Sequence, residues 1–389
     1  MDYSKFYSLD AFNFMRSPVR DIFKAVDLSS IHSFAGGYPS ADTFPLEKIE
    51  ELTTTVVEKY GAKALQYGPT QGIPELRKAI SARYDVPAEN ILISTSSQQG
   101  IDVCARIMLD PDDIVLTANP TYLGAIQSFK SYRARIVGLN LASSFQAAAE
   151  REKQIESLIR EGKKIKFFYI IPDFQNPSGE TLSLAGRSEL VALARKYDFM
   201  IVEDSPYREL RYEGSPVATI YSLAPERTIH LCSFSKIFAP GLRLGWIVAA
   251  EGILNKINEC KQSLDLCAPI FDQYLMVEFM NSGMLEENLP KSIELYRKKR
   301  DLMLSLLEKY MPKGVSWTHP EGGLFLFLTL PEGMDTVALY EKALKAGVAY
   351  VAGSFFYVDG SHRNTLRLNF SFIETSRMEE GIQILASLL

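Results

Sequence analysis

The segment SFSKIFAPGLRLGW (233–246) places a lysine between small hydroxyl residues and an arginine. Lys236 can form a Schiff base with an aldehyde if its amine is kept neutral. Because an unperturbed lysine has a pKa of about 10.4, this chemistry needs burial or a nearby cation, and Arg243 follows seven residues later. Ser233, Ser235 and Arg243 are also suitable donors to a phosphate ester. Taken alone, Lys236 is more simply explained as a surface lysine after a strand.

A second group of polar residues also follows apolar runs. Asp204 ends FMIVED, and Tyr207 follows it within EDSPY. The carboxylate could face a cationic ring nitrogen, and the tyrosine hydroxyl could point toward the same ligand. Asn176, in FQNPSG, could donate its amide to a phenolate oxygen. The simpler alternatives are a helix N-cap for Asp204, a half-buried packing tyrosine and a plain turn around Asn176.

Three further segments extend this set. Ser97 and Gln98, in SSQQG, enter a predicted helix whose first N–H groups can bind phosphate. Tyr122, in NPTYLG, could stack on a flat ring, and Arg367, in TLRLNFSF, could clamp a carboxylate with its guanidinium fork. A helix cap, a core aromatic and a paired charge are the commoner fates of such residues. One ligand accounts for all of them together, because pyridoxal 5′-phosphate combines a flat ring, a cationic nitrogen, a phenolate, an aldehyde and a phosphate.

These residues need a scaffold that brings strand ends together. Short apolar runs alternate with helical patterns through the middle of the chain, which predicts a mostly parallel sheet covered on both faces. Ligands of such sheets bind beyond the carboxyl ends of the strands. The predicted strands are 91–95, 113–118, 135–140, 164–171, 199–204, 228–233 and 245–250, and the predicted helices between them include 98–108, 122–132 and 184–197.

The C-terminal part has the pattern of a smaller α+β unit. A long charged helix (285–311) precedes a strand (322–330), a helix (335–346) and a strand (365–372). The predicted fold class is therefore α/β, with a large domain of mostly parallel sheet flanked by helices and a smaller α+β domain. The predicted boundaries are 45–262 for the large domain, 1–44 with 285–389 for the small domain, and 263–284 for a connecting helical segment.

Composition and charge disfavour several other classes. The net charge of −5 argues against a nucleic-acid binder, and no apolar run reaches the roughly 18 residues of a membrane helix. The N-terminal MDYSKFYSLDAFNF carries charges and lacks the apolar core of a secretory signal, so we expect a cytoplasmic protein. The four cysteines form no CxxC pair and the four histidines have no metal-ligand spacing, which predicts free thiols and no protein-bound metal.

The order and spacing of the polar segments resemble those of the class I/II aminotransferases, which are fold type I enzymes dependent on pyridoxal 5′-phosphate. The resemblance extends from FAGGYPSADTFP (34–45) to LRLNFSF. The motifs LQYGPTQGIPELR (65–77), SSQQG and PDFQNPSG are most similar to the kynurenine/α-aminoadipate aminotransferase subgroup. It implies ping-pong transfer of an amino group between an L-amino acid and a 2-oxo acid, with glutamate/2-oxoglutarate and an aromatic, aliphatic or aminoadipate-type partner.

The resemblance also implies a role for each site residue. Lys236 would hold the cofactor as a Schiff base and later move the substrate Cα proton, and Asp204 would pair with the ring nitrogen. Tyr67 would reach the phosphate of the neighbouring subunit's cofactor, which implies a homodimer with shared active sites. Gly37 and Asn176 would line the substrate site. The other implied contacts are Asn176 and Tyr207 with the phenolate, Tyr122 with the ring face, Ser97, Gln98, Ser233, Ser235 and Arg243 with the phosphate, and Arg367 with the substrate carboxylate.

These motifs say less about which substrates the protein accepts than about the reaction. We hypothesise that Arg16 or Arg20 meets an acidic substrate side chain, the alternative being an ordinary surface position for each. Tyr38 and Phe355 are further candidates for lining the pocket. Ser96 stands where many members of the resembling family have glycine, and we expect little effect because phosphate contacts there are largely made by the backbone.

Three other functions remain open at this point. A β-lyase or a decarboxylase would use the same cofactor and the same motif residues. An aminotransferase-like transcriptional regulator is disfavoured, because only about 44 residues precede the large domain and no basic helix-turn-helix pattern lies among them.

Overall fold

The computed structural model of the chain describes residues 1–14 and 31–389. Its strands are β1 His32–Ser33, β2 Ile91–Ser94, β3 Ile114–Ala118, β4 Arg135–Leu139, β5 Ile165–Ile170, β6 Met200–Asp204, β7 Thr228–Ser233, β8 Gly245–Val248, β9 Ser316–Trp317, β10 Phe325–Thr329, β11 Val348–Ala349, β12 Val351–Ala352 and β13 Thr365–Asn369. Its α-helices are α1 Leu46–Tyr60, α2 Pro74–Tyr84, α3 Ser96–Met108, α4 Leu123–Ser131, α5 Phe145–Arg160, α6 Leu184–Lys196, α7 Ile220–Leu223, α8 Glu251–Asp265, α9 Ile270–Asn281, α10 Met284–Tyr310, α11 Thr336–Lys345 and α12 Thr375–Ser387.

The main sheet has seven strands in the order β2-β8-β7-β6-β5-β3-β4. All neighbouring pairs are parallel except those of β8, which runs antiparallel to both β2 and β7. The predicted mostly parallel sheet is therefore confirmed. Helices cover both faces, so β7 is buried along its whole length, which explains its uninterrupted apolar pattern.

The carboxyl ends of β2, β5, β6 and β7 share one edge of this sheet, because two antiparallel pairings return β2 to the common direction. The segments that follow these strands carry most of the predicted site residues. The topology thus brings together side chains that lie far apart in the sequence, at the edge where ligands of α/β sheets bind.

A smaller antiparallel sheet has the order β12-β13-β10-β9. Arg367, on β13, stands opposite Phe327 of β10 and Val351 of β12, so it occupies a central strand. The short strand β1 pairs with β11, and Asn369 donates its backbone N–H to the carbonyl of Phe34 over 2.8 Å. The segment before Gly37 is therefore hydrogen-bonded to the C-terminal part of the chain.

The helix in the predicted connecting segment packs closely against the N-terminal helices. The ring of Tyr274, on α9, stacks on Tyr60 of α1 with 4.0 Å between centroids. Gln273 accepts the backbone N–H of Ile73 over 2.9 Å, just before α2. The residues 263–284 thus help to anchor the segment that carries Tyr67. Among the described residues, no helix is both long and apolar enough to cross a membrane.

Candidate active site

A cavity of about 1290 Å³ lies at the shared edge of the strand ends and faces the small sheet. Thirteen of the predicted site residues line it: Gly37, Tyr38, Ser97, Gln98, Tyr122, Asn176, Asp204, Tyr207, Ser233, Ser235, Lys236, Arg243 and Arg367. The cavity is large enough for a cofactor and a substrate together, since ligand pockets commonly measure ~300–1,000 Å³.

Lys236 ends a short 3₁₀ turn that follows β7, and its Nζ donates to the carbonyl of Gly37 over 2.7 Å. Burial of the amine, together with the nearby guanidinium groups of Arg243 and Arg367, lowers the pKa of Lys236 to about 8. The structure therefore supplies both conditions that Schiff-base chemistry requires of a lysine, burial and neighbouring cations.

Asp204 is 2% exposed at the end of β6, and one of its carboxylate oxygens has no hydrogen-bond partner among the described residues. The other oxygen accepts the hydroxyl of Tyr169 over 2.8 Å. Burial raises the pKa of Asp204 to about 7, although the hydrogen bond from Tyr169 acts against it. A buried carboxylate of this kind favours a cationic partner, and the ring nitrogen of pyridoxal 5′-phosphate fits that requirement.

Arg367 and Asn176 form the second charged feature of the cavity. Arg367 is 3% exposed and donates to the Asn176 side-chain oxygen over 2.7 Å and to the carbonyl of Ala35 over 2.6 Å. Its guanidinium carbon lies 4.3 Å from the ring centroid of Phe325 and 5.0 Å from that of Phe356. Burial lowers the pKa of Arg367 to about 10, so the group remains a cation at neutral pH. No described carboxylate pairs with it, which leaves it suited to a substrate carboxylate.

Tyr207 and Tyr122 present their hydroxyl groups and rings to the same cavity. Tyr207 packs edge-to-face on Phe325, with 5.6 Å between ring centroids, and burial raises the pKa of its hydroxyl. Tyr122 donates to the side-chain oxygen of Gln98 over 3.2 Å. A side chain at Gly124 would collide with the Tyr122 ring, since an added Cβ would lie 2.6 Å from it. That glycine therefore leaves the space that the aromatic ring occupies.

The opposite end of the cavity is built to receive an anion. Ser97 and Gln98 lie in the first turn of α3, where backbone N–H groups are unpaired. Ser235 donates its backbone N–H to the Ser233 hydroxyl over 3.1 Å, and the Ser233 hydroxyl donates to that of Ser235 over 2.9 Å. Arg243 adds a cation, which completes a donor set suited to a phosphate group.

Two loops at the cavity share one buried anchor. Asp173, which is 1% exposed, accepts from Arg187 over 2.7 Å and from Arg208 over 3.1 Å. It belongs to the loop of Asn176, whereas Arg208 directly follows Tyr207. The carboxylate therefore holds the two loops in register on α6.

Not every predicted residue reaches the cavity. Tyr67 is 78% exposed and does not line the cavity of its own chain. Phe355 does not line it either, and its neighbour Phe356 takes that position instead. Arg16 and Arg20 lie outside the described residues.

Two residues of the site were not predicted from the sequence. Tyr169 lies inside an apolar strand, and only its place opposite β6 shows that its hydroxyl reaches Asp204. Phe356 follows a glycine turn with no local signal of function. Among the described residues, no group of three or more His, Cys, Asp or Glu side chains is arranged to hold a metal ion.

Comparison with known proteins agrees with this geometry. Residues 36–385 match the family model described as aminotransferase class I and II. The chain is 44% identical to aromatic-amino-acid aminotransferase 1 of Thermococcus litoralis, over 99% of the chain and 94% of that protein. It is 33% identical to 2-aminoadipate transaminase of Thermus thermophilus, over 100% and 98%. The crystal structure of Pyrococcus horikoshii kynurenine aminotransferase with PMP superposes with a TM-score of 0.95 at 42% identity, covering 100% of this chain and 97% of that one.

Proposed function

The chain belongs to the class I and II aminotransferases, and from this membership we propose how its own residues carry out amino transfer. It is a pyridoxal 5′-phosphate-dependent enzyme that moves an amino group between an amino acid and a 2-oxo acid. One observation supports the proposed mechanism most strongly: the same cavity is lined by Lys236, whose pKa is lowered, and by Asp204, a buried carboxylate with one oxygen that has no partner among the described residues.

When bound, the cofactor supplies an aldehyde for condensation with an amine and a ring that withdraws electrons from the substrate Cα. Asp204 would hold the ring nitrogen in its cationic form. Asn176 and Tyr207 would bind the phenolate, and Tyr122 would cover the ring face. Ser97, Gln98, Ser233, Ser235 and Arg243 would bind the phosphate.

Lys236 serves as the base that removes the proton from the substrate Cα. Its pKa of about 8 leaves a useful fraction of neutral amine near neutral pH, and the same group can return the proton in the reverse half-reaction. The carbonyl of Gly37 accepts the Lys236 amine and orients it toward the substrate side of the cavity. No histidine is required for proton transfer.

Arg367 binds the substrate α-carboxylate and thereby fixes the orientation of the Cα–H bond. The hydrogen bond to Asn176 and the rings of Phe325 and Phe356 hold its guanidinium in one position. A guanidinium held in this way needs no rearrangement when substrate binds. It can therefore fix the substrate carboxylate so that the reacting Cα–H bond lies close to Lys236.

For specificity, we propose glutamate/2-oxoglutarate as one pair, with an aromatic, aliphatic or aminoadipate-type amino acid as the other. The names of the relatives, an aromatic-amino-acid aminotransferase and a 2-aminoadipate transaminase, support this range. A screen of amino donors against 2-oxoglutarate and pyruvate tests it. Ammonia is measured in parallel, because its release would indicate β-elimination rather than transfer. Absence of activity with every aromatic, aliphatic and aminoadipate donor would contradict the proposed range.

We further propose a cytoplasmic homodimer in which Tyr67 reaches the cofactor phosphate of the partner subunit. The high exposure of Tyr67, together with that of Leu65 at 80%, supports a surface that a second subunit covers. The four cysteines are all unpaired, which suits a reducing compartment. Light scattering of the purified protein tests the dimer, and a monomeric active enzyme would exclude shared sites.

The proposed domain division keeps the predicted boundaries. All strands of the seven-stranded sheet lie within 45–262, and all strands of the four-stranded sheet lie within 285–389. The pairing of β1 with β11 supports the assignment of the N-terminal segment to the smaller domain.

A further inference from the structure

Ser96 adopts a backbone conformation that is unfavourable for its residue type. Its φ is +65°, in the left-handed region that side chains other than glycine seldom occupy. The residue is 4% exposed and begins α3, immediately before Ser97 and Gln98. Such strain persists where the surrounding structure holds it, and it is frequent at functional sites.

The side chain of Ser96 has one specific partner. Its hydroxyl oxygen accepts a hydrogen bond from a guanidinium nitrogen of Arg243. Arg243 is itself exposed and has a φ of +53°. Within residues 1–14 and 31–389, the Arg243 guanidinium donates one other hydrogen bond, to the carbonyl of Pro240 over 3.2 Å, and it forms no ion pair. The contact with Ser96 is therefore what ties this mobile type of side chain to the anion-binding end of the cavity.

Tight backbone packing holds the two residues in register. A Cβ on Gly245 would lie 2.9 Å from the Ser96 Cα and 2.6 Å from the carbonyl oxygen of Cys232. Gly245 begins β8, two positions after Arg243, so the turn before α3 and the arginine loop approach each other at this glycine. The backbone segments that carry Ser96 and Arg243 are thus held close together, which places the two side chains within hydrogen-bonding reach.

The hydroxyl of Ser96 can also contact the ligand directly. A serine hydroxyl has one proton to donate and two lone pairs to accept. Arg243 occupies an accepting position, and no described residue accepts the Ser96 proton. That proton is available to an anion at the start of α3, where Ser97 and Gln98 already line the cavity.

We propose that Ser96 is a further phosphate-binding residue, which donates its hydroxyl proton to the cofactor phosphate and holds Arg243 beside that phosphate. This inference rests on the proposed function, since it assumes that the anion is the phosphate of pyridoxal 5′-phosphate. It also reverses the expectation that a serine at this position has little effect. The strain in the Ser96 backbone is thus offset by one hydroxyl donor to the phosphate and by one cation held beside it.

The test compares Ser96→Gly and Ser96→Ala with the wild type as full-length, cofactor-free proteins. The affinity for pyridoxal 5′-phosphate and for pyridoxal, which lacks the phosphate, is measured by titration, and the melting temperature is measured without ligand. Both variants should bind pyridoxal 5′-phosphate about tenfold more weakly or worse, because a hydrogen bond to a charged group is lost. Pyridoxal binding should stay within about twofold of wild type.

The two variants should differ in stability. Ser96→Gly relieves the left-handed strain and should raise the melting temperature, while Ser96→Ala keeps the strain and should not. Asp112→Gly is the matched control, because Asp112 is exposed, has a φ of +70° and lies before β3 at the opposite edge of the sheet. It should gain stability and leave cofactor affinity unchanged.

Two results would overturn the inference. One is wild-type affinity for pyridoxal 5′-phosphate in either Ser96 variant. The other is an equal loss of affinity for pyridoxal 5′-phosphate and pyridoxal, which would indicate general damage to the cavity. A wild-type protein that binds no pyridoxal 5′-phosphate would refute the proposed function itself, and this inference with it.

Discussion

Arg367 donates to the side-chain oxygen of Asn176 over 2.7 Å, although the two residues are 191 positions apart. Arg367 belongs to the small antiparallel sheet, and Asn176 follows a strand of the main sheet. Since the amide oxygen accepts from the arginine, the amide nitrogen remains a donor for the cofactor phenolate. One hydrogen bond therefore aligns the substrate site with the cofactor site.

Arg367→Lys should lower kcat/KM for amino acid substrates by about 100-fold or more. Lysine cannot form two parallel hydrogen bonds to a carboxylate. Disrupting the buried pair between the Arg367 guanidinium and the substrate carboxylate costs on the order of 2–5 kcal/mol. Steady-state kinetics with saturating cofactor measures this loss. Arg363→Lys is the control, because Arg363 is exposed and pairs with Asp335 outside the cavity. Equal kcat/KM in the two variants would exclude carboxylate binding by Arg367.

Asp204→Asn should make the free energy of unfolding of the cofactor-free protein less sensitive to rising pH. Burial raises the pKa of Asp204 from about 3.8 to about 7, so the folded state favours the protonated acid. The resulting stabilisation is present below about pH 4 and is lost as pH rises toward 7. Urea unfolding measures this at pH 5 and pH 8. The free energy of unfolding of the variant, relative to that of the wild type, should therefore be higher at pH 8 than at pH 5. A difference that is the same at both pH values would argue against an uncompensated carboxylate.

The reactivity of Lys236 toward aldehydes should increase through about pH 8. Burial, with Arg243 and Arg367, lowers the pKa of its amine to about 8, and only the neutral amine attacks an aldehyde. The rate of adduct formation between the cofactor-free protein and pyridoxal measures this midpoint without involving the phosphate site. Arg243→Gln should move the midpoint upward, because it removes one of the cations. A wild-type midpoint near 10 would contradict a perturbed lysine.

Asp173→Asn should lower the free energy of unfolding by roughly 3–5 kcal/mol, since it removes the carboxylate nearest to the buried Arg187 and leaves that guanidinium only the more distant Glu203, at 4.0 Å. Urea denaturation of the holoenzyme measures this change. Glu226→Gln removes an exposed ion pair with Arg195 and should cost less than about 1 kcal/mol. Similar losses in the two variants would show that Asp173 is not the anchor of the two loops.

The strand ends could be predicted because each follows a local apolar run. The limits of β7 agree with the predicted strand residue for residue, and Asp204 and Lys236 follow directly from such runs. Several helices did not stand out from their patterns, and they include α1, α2, α5, α8 and α12. Two of these helices nevertheless carry an amphipathic pattern, since Leu52 and Val56 are buried on α1 and Leu254 and Ile257 are buried on α8. The predicted elements did not include them, although the signal is present in the sequence.

The missed contacts have a different origin. Tyr169 reaches Asp204 only because β5 and β6 are neighbours, and Arg243 reaches Ser96 only because Gly245 lets two turns approach. Such pairings depend on tertiary structure and leave no periodic signal in the chain. The same holds for Tyr67, whose proposed partner belongs to another subunit.

A single-turnover experiment tests amino transfer by Lys236 most directly. The holoenzyme is mixed with its best amino donor in the absence of any 2-oxo acid, and the products are counted. We predict about one 2-oxo acid per subunit, no free ammonia, renewed turnover when 2-oxoglutarate is added, and no product from Lys236→Ala. Continued release of 2-oxo acid with matching ammonia, or wild-type product formation by Lys236→Ala, would contradict the account.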